Sequence, residues 1–235
     1  MDGGPQAQVA ARVPGAAGLG LLAPPSARPL PAELLADPAW TARRVAALGR
    51  RYRSADRRVL ATVWWYSASA VLLAPLAAGL ATGRPLSARL ADTTLYELAG
   101  GPLVAAVSAA PAGPDPAGEL RAALAAAVAA VAEAGGVRER PLWAVAADSL
   151  AGRLLAVGRA LDAVGPMTAL AAPVAAAVGS PLPAPRFTDV GGTRFVRRVS
   201  CCLLYRLPPE PMCTACPGRP PEHRRVLLEA AAGQW

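Results

Sequence analysis

The chain has 235 residues, 54% of them hydrophobic and only 17% charged, with 25 prolines and 22 glycines. This excludes a disordered polyelectrolyte and is enough for one large domain, or one domain with a small appendage. The net charge of +8 comes from arginine alone, since lysine, asparagine and isoleucine are absent, a pattern expected of a GC-rich genome. The arginines fall as scattered pairs (Arg43-Arg44, Arg50-Arg51, Arg57-Arg58) with no asparagine to read bases, so nucleic acid is not the expected partner.

Taken in order, residues 1–30 lack a basic stretch ahead of an apolar run and are broken by Gly and Pro. They read as an irregular N-terminal arm and not as a signal peptide. Residues 31–180 read as a helical domain with a small β-hairpin, so the fold class is mainly α. Asp37-Pro38 is an N-cap followed by Pro at the first helical position, predicting a helix to about Arg51. Ser54 caps the next helix, with Asp56 in its first turn, and this helix carries an apolar run ending near Gly83. Residues 93–108 hold Thr, Leu, Tyr and Val on either side of Gly100-Gly101 and predict the hairpin. Asp115-Pro116 repeats the cap signature, and Gly135-Gly136 ends that helix. Pro141 opens another, with Trp143, Val145, Leu150, Leu154, Leu155 and Leu161 on one face. A shorter helix spans Met167–Val178. The prolines between Ser180 and Pro185 mark a boundary, and 181–235 form a C-terminal segment whose last helix starts near Pro220-Pro221.

Val59–Gly83 runs twenty-five residues without a charge between Arg58 and Arg84, long enough to cross a membrane. Thr62, Ser67, Ser69 and Pro75, with many weakly apolar Ala and Gly, favour a central helix buried on all sides. A peripheral membrane contact is the competing reading. Trp40, Trp64, Trp65 and Trp143 are expected in the core, and the lone His223 is expected as an exposed residue of the last helix.

All four cysteines lie within sixteen residues, as Cys201-Cys202, ten residues, Cys213, two residues, Cys216. Core packing would scatter them. Two disulfides would suit a secreted chain, but adjacent cysteines rarely pair with each other and no export signal is read. A structural zinc site takes four thiolates, usually from two Cys-x-x-Cys knuckles; Cys213 and Cys216 fit and Cys201-Cys202 do not. Neighbouring residues of an extended chain point to opposite sides, so two adjacent thiolates reach one ion only with strain. A binuclear iron–sulfur cluster offers separated ligand positions to four thiolates. Spacing favours the cluster and leaves zinc open.

The block also resembles the C-terminal motif of the FhuF-type ferric siderophore reductases, which are 2Fe-2S proteins. The resemblance rests on the Cys-Cys-x10-Cys-x2-Cys spacing, on Arg198 and Ser200 before the pair, on Leu203, Tyr205, Arg206 and Pro208 after it, and on Pro217. Upstream, R-R-V-L-A-T before the apolar run with Pro75 and W-A-V-A-A-D-S-L-A from Trp143 are similar to the family's helical portion. The likeness thus extends over residues 37–225. Pro209 and Pro211 around Glu210 depart from the family, which often has a Gly between the cysteine pairs.

The resemblance implies a 2Fe-2S cluster held by Cys201, Cys202, Cys213 and Cys216, in a cytoplasmic oxidoreductase. It implies one-electron reduction of siderophore-bound Fe(III) and release of Fe(II), with electrons from a ferredoxin- or flavoprotein-type donor. Such a cluster is dianionic when oxidised and gains one more negative charge on reduction. Residues 186–225 carry eight arginines against Asp189, Glu210 and Glu222, giving +5 of the whole +8. Arg197, Arg198, Tyr205 and Arg206 are therefore expected around the cluster, with Arg194 and Arg219 adding to its charge compensation. In an extended segment at most one of Arg197 and Arg198 can face it. The rival readings are a zinc-stabilised interaction module and a cluster-based redox sensor.

Overall fold

The computed structural model describes residues 4–233. Its body is helical, as the cap signatures predict. Asp37 accepts a hydrogen bond from Ala39 N and opens α2 (Pro38–Tyr52), which closes on Arg53 in the left-handed region. Asp56, not Ser54, caps α3 (Arg57–Leu72), accepting from Val59 N at 3.1 Å. Ser54 instead accepts from the Asp56 backbone and shapes the turn before it.

The apolar run is two helices, not one. Pro75 lacks an N–H and cannot continue the ladder, so α3 ends at Leu72 and α4 (Ala74–Ala81) restarts with the proline in its first turn. Together they are long and apolar enough to span a bilayer, yet most of this stretch is buried inside the protein. The stretch belongs to the core. Trp65 donates its indole N–H to the Leu142 carbonyl at 2.8 Å, and the Ser69 and Ser149 hydroxyls meet at 2.8 Å, so the polar atoms of this buried helix are satisfied within the fold.

Asp115 caps α5 (Pro116–Gly135) by accepting from Gly118 N, and Gly136 ends it in the left-handed region. Gly135 lets α5 press against α3, because a Cβ there would stand 2.4 Å from Ala61 Cβ. Next comes α6 (Glu139–Ala160), which begins two residues before Pro141. Trp143, Val145, Leu150, Leu154 and Leu155 are all buried on it. The helix expected over Met167–Val178 is α7 (Val164–Ala169) followed by α8 (Ala171–Val178); Pro173 in the first turn of α8 cannot donate to the preceding turn. α2, α3, α5 and α6 share one apolar cluster, where Trp40 and Trp64 meet edge to face at 5.7 Å.

The hairpin consists of β2 (Thr93–Glu97) and β3 (Leu103–Ser108), antiparallel, with Gly100 and Gly101 at positive φ in the turn. A third strand, β1 (Arg28–Pro31), pairs with β2 in the register Arg28↔Glu97 and Leu30↔Leu95. The N-terminal stretch is thus less irregular than its Gly and Pro content suggests. It contains α1 (Pro5–Ala10), and Val9, Val13 and Leu21 are buried against Ala78 and Leu86. Gln6 is 2% exposed and acts as its polar anchor, donating to the Leu21 and Ala106 carbonyls and accepting from Ser108 N. No local pattern announces such tertiary anchoring.

After α8 the chain forms a second hairpin, β4 (Phe187–Val190) and β5 (Thr193–Val196), turning through Gly191-Gly192. The cysteine loop and α9 (Pro221–Ala232) follow. Leu182 and the fully buried Leu207 sink into the main core, so the segment lies on the helical body.

Candidate metal centre

The cysteine pair follows β5 and is held from below by α6. Asp148 lies mid-helix, 5% exposed, in an otherwise apolar stretch. Its carboxylate accepts from Val199 N at 2.8 Å, from Ser200 N at 3.0 Å and from the Ser200 hydroxyl at 3.0 Å. These donors immediately precede Cys201, so one buried acid fixes where the pair begins. Burial pushes the Asp148 pKa up, against the pull of those hydrogen bonds and of Arg198.

Beyond the pair the chain turns at once. Leu203 takes a left-handed conformation (φ 63°), uncommon for a branched side chain, and its N–H points back to the Cys201 sulfur at 3.4 Å. One 3₁₀ turn, Leu204–Arg206, leads to Leu207 in the core. The loop between the two cysteine pairs is also tied to α2, where the Tyr52 hydroxyl donates to Glu210 Oε1 at 3.0 Å. Burial, then the Glu210 hydrogen bond, raise the Tyr52 pKa. Cys213 and Cys216 sit on a tight turn closed by Cys216 N to the Cys213 carbonyl at 3.2 Å. Arg219 donates to the Cys213 and Met212 carbonyls, and Arg224 to the Cys216 carbonyl. These two arginines clamp the backbone of the turn.

The four thiols come together as two pairs. Cys201 and Cys216 sulfurs are 3.7 Å apart, close to the ~3.8 Å edge of a tetrahedron with metal–sulfur bonds of about 2.3 Å. Cys202 and Cys213 share one donor, Arg198 Nη1, at 3.6 and 3.5 Å. Cys201 thus meets Cys216 directly, and Cys202 and Cys213 meet on one guanidinium nitrogen. Among the described residues no three His, Cys, Asp or Glu side chains converge on a single-ion site. Four thiols gathered in this way can ligate a metal group as thiolates. Burial raises the pKa of the Cys201 thiol to about 11, and a bound cationic centre would favour its thiolate form.

Arg198 is the organising side chain. It is 8% exposed, touches two of the sulfurs, lies 3.7 Å from Asp148 and stacks 4.7 Å from the centre of the Tyr66 ring. Burial works against its charge, but the Cys202 sulfur, Tyr66, Cys213 and Asp148 outweigh it and raise its pKa. Its Nη2 is buried without a hydrogen-bond partner. An orphaned cationic N–H on a guanidinium that touches two of the thiols fits an anionic cluster bearing sulfides, which would accept from it.

The remaining expected residues are placed differently. Arg197 is exposed and its backbone N–H bonds the Arg186 carbonyl, so of the two neighbours only Arg198 turns to the thiols. Arg194 faces away: it forms a bidentate pair with Asp189, whose pKa it lowers, and reaches Thr168 on α7. Tyr205 is 40% exposed, and Arg206 is exposed beside it. His223 is exposed in the first turn of α9. Two residues that matter were not singled out from the sequence. Asp148 sits inside the W-A-V-A-A-D-S-L-A stretch, where a lone acid on an apolar helix face was the signal. Tyr66 gave no signal apart from its place on the central helix.

Residues 198–217 match the FhuF 2Fe-2S C-terminal domain. The match contains all four cysteines and Arg198, and it marks a 2Fe-2S cluster as the group they hold; the helical body lies outside it. No curated protein is significantly similar to the chain.

Proposed function

We propose, from a C-terminal segment that matches the FhuF 2Fe-2S domain, that this protein is a cytoplasmic ferric siderophore reductase. The observation that carries the reading is the buried Arg198 bridging Cys202 and Cys213 inside the matched segment. Cys201, Cys202, Cys213 and Cys216 would hold the cluster, which supplies single electrons when bound. The substrate reaction is Fe(III)-siderophore plus one electron to Fe(II) and the free siderophore. The electron comes from a one-electron donor of ferredoxin or flavoprotein type. Hard oxygen ligands hold ferric iron far better than ferrous, so reduction is release.

The chain's own residues have distinct tasks in this reading. Arg198 offsets negative charge at the sulfurs and favours the reduced state. Asp148 aims Arg198 and fixes the backbone before Cys201, while Leu207 and the Tyr52–Glu210 hydrogen bond keep the loop closed over the site. Arg219 and Arg224 hold the Cys213–Cys216 turn. No general acid, base or nucleophile is needed for electron transfer, so the lack of such a constellation does not weigh against an oxidoreductase. Exposed Arg186, Arg197 and Arg206 favour an acidic donor surface and an anionic substrate.

The test is anaerobic purification, then stopped-flow mixing of the reduced protein with ferric siderophores while ferrous iron is trapped by a chromogenic chelator. Reoxidation of the protein with matching Fe(II) formation is the expected result. A colourless protein with one zinc per chain would overturn the reading in favour of a zinc module. A brown protein that releases no iron would overturn it in favour of a redox sensor.

A further inference from the structure

A cleft of about 240 Å³ opens beside Arg198, between β4, the stretch after β5, the Cys213–Cys216 turn and α9. Arg186, Arg197, Arg198 and Arg224 line it, with Ala215 and Pro217 from either side of Cys216. It adjoins the thiols directly. Arg198 reaches Cys202 and Cys213, Arg224 donates to the Cys216 carbonyl, and Cys213 is the exposed member of the four. Arg186 and Arg197 are held side by side, because the Arg197 N–H donates to the Arg186 carbonyl at 2.9 Å.

The positive charge here survives a count of the nearby carboxylates. Asp148 offsets Arg198, Arg194 holds Asp189, Arg225 holds Glu229, and Glu210 is turned to Tyr52 on α2. Glu222 is exposed in the first turn of α9, two residues before Arg224 and so about 200° round the helix from it. Among the described residues Arg186, Arg197 and Arg224 form no ion pair. Even with Glu222 counted against them, the mouth of the cleft is cationic.

We propose that this cleft is where the electron donor docks, and that the donor is a small one-electron protein with an acidic surface. The proposal rests on the reductase reading and names the partner of that site. A centre that gives one electron to its substrate must regain one electron, with no atom transferred. Electron transfer weakens steeply with distance, so the donor has to approach a ligand, and Cys213 is the ligand that reaches the surface. The cleft is smaller than the ~300–1,000 Å³ typical of small-molecule sites, and no aromatic side chain lines it. Its cations stand on three separate segments, which suits carboxylates spread over a protein surface. Electron-transfer encounters use such small interfaces, steered by charge.

The test uses the cluster-loaded protein and flavodoxin, an acidic protein donor. Calorimetry on the oxidised pair follows docking, and anaerobic stopped-flow with fully reduced flavodoxin follows electron transfer. Saturable docking that weakens as salt rises is expected. Arg186→Glu and Arg197→Glu should each lower affinity and second-order rate about tenfold. Arg43→Glu makes the same change of net charge at an exposed position of α2 and should behave as the parent does. All three variants should keep the parent's visible absorbance and its rate of reduction by photoreduced deazaflavin, a small molecule that needs no docking face. Unchanged docking in both cleft variants overturns the proposal, as does an equal loss in Arg43→Glu, docking indifferent to salt, or no docking at all. Saturable binding of inorganic phosphate, lost in Arg197→Glu, would make the cleft a small-anion site and overturn it too. If flavodoxin docks and delivers its electron but ferric siderophores stay unreduced, the reductase reading fails and the docking face stands. If the photoreduced protein reduces ferric siderophores while flavodoxin treats the cleft variants as the parent, the docking face fails and the reductase reading stands.

Discussion

The helical body and the cysteine segment are stabilised by different means. The body buries Leu, Val, Ala and Trp from four long helices in one continuous cluster, within which Trp65 and the Ser69–Ser149 pair are hydrogen-bonded. The segment has two short strands, a 3₁₀ turn and one terminal helix in which only Leu228 is buried. It depends on a few specific ties, chiefly Asp148 to the Val199–Ser200 backbone, Leu207 in the core and Tyr52 to Glu210. A body held by area loses little when one contact goes. A segment held by a few ties and four thiolates should respond sharply to each. The difference places metal dependence in the segment and leaves the body metal-independent.

The sharpest way to break that contrast is Cys202→Ser or Cys213→Ser. Either should abolish the visible absorbance while far-UV circular dichroism stays close to the parent; global unfolding would show that the body depends on the metal site after all. Asp148→Asn comes next. It leaves the buried Arg198 without its carboxylate, a change of about 3–5 kcal/mol when a buried pair is broken. Cluster loss to a chelator should become much faster with helical content retained, and an unchanged lifetime would remove Asp148 as the tether. Arg198→Lys keeps a charge but replaces the planar fork that reaches two sulfurs and Asp148 with a single ammonium. The cluster should persist with a more negative potential in an EPR-monitored redox titration, and an unmoved potential would mean that Arg198 only packs. The smallest effect belongs to Tyr52→Phe. It removes one part-buried hydrogen bond worth about 0.5–1 kcal/mol, visible as a modest rise in proteolysis of the 203–212 loop and no change in the thermal transition of the body.

Much of the body is legible locally, because its punctuation is chemical. Asp-Pro at 37–38 and 115–116, Gly136 after α5 and the Gly100-Gly101 turn each act within a few residues of themselves. Where local reading departs from the structure, a contact from far along the chain decides. Gln6 reaches across a hundred residues to Ala106 and Ser108 and turns an apparently loose arm into a packed one. β1 is a strand only because β2 stands beside it. Ser54 is as suitable a cap by residue type as Asp56, and only the structure shows that Asp56 takes the Val59 N–H.

The candidate site divides in the same way. Sequence alone singled out the four cysteines as a candidate metal site, because four clustered cysteines have no packing explanation, and its spacing favoured a cluster over zinc. It also placed the arginine excess around them. Only the tertiary structure decided which arginine matters. Arg194 is neutralised by Asp189, Arg219 and Arg224 hold carbonyls, and Arg198 is driven into the interior by a carboxylate on α6 and a ring on α3. The strength of a charge depends on its burial and its partners, and both are set by elements some fifty to 130 residues away in the chain.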